Sequence, residues 1–75
     1  MTAPNRNFGL TEAMEVEDLV SLRRYDLTNE VVILVKYFNG DHDWVPISRL
    51  SVFTHIQDML IEFYEKHFNF HMHSL

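Results

Sequence analysis

From Ser51 to Phe68 the chain repeats apolar residues at intervals of three and four: Val52, Phe53, Ile56, Met59, Leu60, Phe63 and Tyr64. That spacing predicts one amphipathic helix over the whole segment, with these side chains on a single face. At 100° per residue, Ile61 and Phe68 fall past the edge of the stripe and widen the apolar arc to roughly 200°. An arc this wide must be covered on more than one side. The cover comes from the rest of the chain, from a second copy, or from a foreign protein.

The chain is short enough for that choice to matter. Its 75 residues make one domain, and a chain of this size buries only about 60–65% of the surface its unfolded form exposes. There are no cysteines, which removes disulfides, thiolate zinc sites and cysteine nucleophiles. An apolar content of 47%, with six Phe, three Tyr and one Trp, argues against disorder. A small core completed by association, with homodimerisation as the simplest form, is the expectation.

Eleven acids against six bases give a net charge of −5. That balance disfavours direct nucleic-acid binding, which needs a footprint of Lys and Arg. Acids crowd at Glu12, Glu15, Glu17 and Asp18, a cluster that reads either as a solvated face or as an imitation of phosphate spacing in a nucleic-acid mimic. Residues 1–10 carry no signal-peptide core, and the longest apolar run, Val31 to Val35, is far short of a bilayer span. A cytoplasmic protein without membrane contact is expected.

Residues 1–10 read as a flexible N-terminal arm, although Phe8 has the character to tuck into a core, and residues 11–75 as a single small domain. Thr11 to Asp18 fits either a short helix capped at Thr11 or the start of a strand. Asp18 interrupts the apolar parity, which calls for a bulge or for a strand that begins only at Leu19 and runs to Tyr25. Val31 to Phe38 is a central strand by composition. Asn39-Gly40 marks a hairpin, and Trp44 to Ile47 a third strand that Pro46 assigns to an edge. Ser51 fits as the cap of the long helix. Phe68 to Met72 then alternates with Asn69, His71 and His73 and offers a short C-terminal strand or an apolar arm. The expected fold is α+β: a three-stranded antiparallel meander followed by one long amphipathic helix packed on the sheet.

Reactive chemistry has little support. His67, His71 and His73 have usable chelating spacings, and a zinc-binding module built on them is the alternative to a purely apolar tail. No HExxH motif accompanies them. Asp41-His42-Asp43 falls in a hairpin loop, where aspartates are turn formers. The two glycines are too few for a phosphate cradle, and no serine has a nucleophile-elbow context. No cofactor and no catalytic residue is expected. The sequence points instead to a small protein-binding module, an inhibitor or adaptor acting as a homodimer, of a composition common among phage and mobile-element accessory proteins. Trp44, Ile61, Phe68, Phe70 and Met72 would supply its apolar contacts, and Glu15, Glu17 and Asp18 its electrostatic steering.

Overall fold

The computed structural model describes residues 8–68. A one-turn helix α1 (Leu10–Met14) leads into three strands, β1 (Val16–Tyr25), β2 (Glu30–Tyr37) and β3 (His42–Pro46). A second single turn, α2 (Ile47–Leu50), precedes the helix α3 (Thr54–Phe68). The strands form one antiparallel sheet in the order β1-β2-β3, and α3 packs on it, giving the α+β meander-plus-helix architecture that the sequence predicts.

The most apolar strand is the central one. Ile33, Val35 and Tyr37 of β2 face the helix layer and join Leu19 of β1, Val45 of β3, Leu50 of α2 and Ile56, Leu60 and Phe63 of α3 in one buried cluster. The turns follow backbone chemistry. Gly40 has φ of 94° in the β2–β3 turn, a conformation that costs glycine least. Asn29 takes the left-handed position before β2, with φ of 58°.

Five boundaries differ from expectation. The long helix starts at Thr54, not Ser51, because Ile47 to Leu50 forms its own turn to bury Leu50, and Ser51 ends that turn as its C-cap. The Phe53 carbonyl accepts from the amides of Ile56 and Gln57, and Val52 is left exposed in the connection. β3 begins at His42 and stops at Pro46, with Ile47 already helical. In Thr11–Asp18 both readings hold in succession: a helix starts at Leu10, capped by Gly9 and not Thr11, and a strand starts at Val16, not Leu19. The expected irregularity at Asp18 is present, as a register shift between Val16 and Asp18, and a second lies between Leu19 and Ser21.

Phe8 is buried and meets Phe53 edge-to-face, with ring centroids 5.8 Å apart, so the core draws in part of the segment read as an arm. The wide arc of α3 is mostly absorbed within the chain. Met59 and Tyr64 pack partly buried against the core, and Ile61 remains 46% exposed on the flank of the helix opposite Glu62 and Lys66. Residues 69–75, with Phe70, Met72, His71 and His73, lie outside the described residues, as does the side chain of Phe68.

Candidate interaction surfaces

The side of the sheet away from α3 has its own small roof. Val32 and Leu34 alternate to that side, where Val32 lies between Arg23 and Pro46 and Leu34 between Ser21 and Trp44. The Arg23 guanidinium carbon sits 5.2 Å from the centroid of the Trp44 ring, so the two side chains meet over the central strand. Val32 beneath is fully buried. Trp44 is therefore half-buried in a cation–π bridge in the middle of β3, not at its start.

The second surface is the edge of β1 that, among the described residues, pairs with no further strand. Glu17 and Asp18 line a cleft of about 180 Å³ with Leu19 of the same strand and Met59, Glu62, Phe63, Lys66 and His67 of α3. The Leu19 amide donates to the Asp18 carboxylate at 2.9 Å, and Glu17 pairs with Lys36 at 3.2 Å in a largely solvated contact. His67 lies against Phe63, with centroids 4.2 Å apart. A shallower groove beside it is lined by Val20, Ser21, Leu22, Phe63 and His67.

The third surface is the end of the molecule where α1 meets the β2–β3 turn. Glu12 accepts from the Gly9 amide at 2.9 Å, half of a capping box, since glycine has no side chain to return the bond. His55 of α3 donates through Nε2 to the Ala13 carbonyl at 3.0 Å, fixing α1 to the helix layer. The Phe38 amide donates to the Glu15 carbonyl at 2.9 Å, which sets Phe38 beside the end of α1. Leu10 is 66% exposed, Met14 63% and Phe38 66%, so three large apolar side chains stand at this end of the fold. Thr11, Glu12, Glu15, Tyr37, Asn39 and Asp41 line an open cleft of about 200 Å³ there.

The residues expected to act together are thus divided. Glu17 and Asp18 share one cleft, Glu15 belongs to another, Trp44 occupies the far side of the sheet, and Ile61 stands alone on α3. The four-acid cluster is split between two surfaces in the same way. Among the described residues no three His, Asp or Glu side chains converge as metal ligands, and of the histidines proposed for zinc only His67 is described. No helix among them is long and apolar enough to cross a membrane. Sequence reading missed Leu10, Met14 and Phe38. The i, i+4 spacing of Leu10 and Met14 is visible in the chain, but their exposure depends on how α1 docks. Comparison with known proteins finds no matching family model, no matching curated protein and no matching solved structure.

Proposed function

We propose that this chain is a small non-enzymatic protein-binding module, an inhibitor or adaptor of phage or mobile-element type that works in the cytoplasm as a homodimer. The observation that carries the reading is the α1 end: Leu10, Met14 and Phe38, each about two-thirds exposed, beside a cleft that holds Glu12, Glu15 and Asp41. Apolar anchors with charge at their margin are the anatomy of a protein interface, where the centre supplies affinity and the rim supplies steering. The sign of the rim favours a partner with basic residues around an apolar depression. Isolated exposed apolar residues are ordinary on a protein surface; here three are brought to one end of a domain with few residues to spare.

The test is quantitative capture from host extract with immobilised wild-type protein and with Phe38→Asp. A single protein retained by the wild type and lost by the variant, while circular dichroism shows the variant folded, supports the reading. Equal retention by both, or none by either, opposes it.

A further inference from the structure

The homodimer in the preceding reading needs an interface, and among the described side chains of α3 Ile61 is the one large apolar group left exposed. We infer that two copies join through their β1 edges, antiparallel, about a two-fold axis between Val20 and Ser21. This rests on the homodimer reading and gives it a specific seam.

The two edges of the sheet are not equivalent. β3 has five residues and ends in Pro46, which cannot donate to a neighbouring strand. β1 has ten residues and lies, among the described residues, at the other edge of the sheet, a row of backbone groups that can template a further strand and that is interrupted by the irregularities at Val16–Asp18 and Leu19–Ser21. Monomeric proteins guard such edges with charge, and charge of one sign would repel a copy. β1 instead carries two blocks of opposite sign, Glu17-Asp18 towards its start and Arg23-Arg24 towards its end.

Antiparallel pairing about the stated axis sets Asp18 opposite the partner's Arg23, both on the face away from α3 that Lys36 and Val32 share, while Glu17 and Arg24 follow along the seam on opposite faces. The dyad repeats the Asp18–Arg23 pair, giving two opposite-sign pairs along one seam, an isologous and self-complementary contact. The same register brings Leu19 opposite the partner's Leu22. Both leucines pack with the core cluster on the helix side, so face and charge agree. Sliding one copy by two residues sets Asp18 opposite Ser21 or Tyr25 and loses the match. The groove along Val20, Ser21, Leu22, Phe63 and His67 flanks this seam.

The present partners of the four charges do not close the edge. Glu17–Lys36 is a solvated ion pair, and Arg24 reaches Asn29 at 3.3 Å across an exposed turn. Arg23 meets Trp44 over the central strand, on the side away from the edge, so pairing with a copy requires its side chain to turn from Trp44 to the seam.

The test is charge reversal with mixing. Glu17→Lys with Asp18→Lys makes one variant, and Arg23→Glu with Arg24→Glu the other. Sedimentation equilibrium is expected to show a dimeric wild type, each variant monomeric at the same concentration, and an equimolar mixture restored to heterodimer. Variants that stay dimeric, or a mixture that stays monomeric, overturn the β1 seam while a dimeric wild type keeps the homodimer. A monomeric wild type overturns both. Should either variant fail to fold, amide exchange of the wild type above and below its dissociation range decides: concentration-dependent protection in β1 is expected, and protection confined to other segments contradicts the seam.

Discussion

At the scale of single residues, Phe63 and Ile61 separate folding from surface. Phe63 is 5% exposed, in the core and against His67, whereas Ile61 is 46% exposed two positions earlier on the same helix. Phe63→Ala should cost about 3–5 kcal/mol of stability, and Ile61→Ala about 1 kcal/mol or less. Urea midpoints of the two variants measure this; equal losses would mean that the helix presents a different face to the sheet. Tyr64 makes a pH prediction. Burial pushes its phenol above the ordinary value. A folded-state pKa above the unfolded one means that the contribution to stability is intact below about pH 10 and is lost as pH rises through the folded value. Between pH 9 and 11 the urea midpoint should therefore fall further for the wild type than for Tyr64→Phe, and equal falls would show that Tyr64 is solvated.

At the scale of elements, the turns and the entry helix carry the testable detail. A Cβ at Gly40 would meet nothing within 4 Å, so the cost of Gly40→Ala comes from φ of 94° alone. We expect a loss of about 1 kcal/mol, read from thermal or urea unfolding; an unchanged midpoint would mean that the turn adapts. His55→Ala removes the bond to the Ala13 carbonyl and should lower stability by about 0.5–1.5 kcal/mol. Amide exchange in α1 should rise more than in β2, and uniform acceleration would count against His55 as the tie. These elements also show what the sequence discloses. The strand at Val31–Phe38, the Asn39-Gly40 turn, the edge position of β3 and the bulge at Asp18 are local signals, and each is found within a residue or so of its expected place. The helix start is illegible because Ile47, Leu50 and Phe53 continue an apolar period across α2 and the connection to α3, which are separate elements. Periodicity reports which residues are buried, not where the chain bends between them. The α1 surface and the Arg23–Trp44 bridge depend on contacts between elements distant in sequence, and no window of sequence contains them.

At the scale of the whole molecule, the described residues hold a well-satisfied core, with no buried side-chain polar atom left without a partner. Association is therefore not demanded by a broken interior. It is favoured by what the fold leaves outside: a ten-residue edge strand with paired blocks of charge, and apolar side chains gathered at the α1 end. Both features are what the proposed protein-binding role draws on, and a copy of itself is the first polypeptide to test against them. Sedimentation equilibrium of the wild-type protein at low micromolar concentration and moderate salt tests this most directly. The account predicts a species of twice the 9.0 kDa monomer mass, shifting towards monomer as salt screens the charge pairs; a single 9.0 kDa species at every concentration would contradict it.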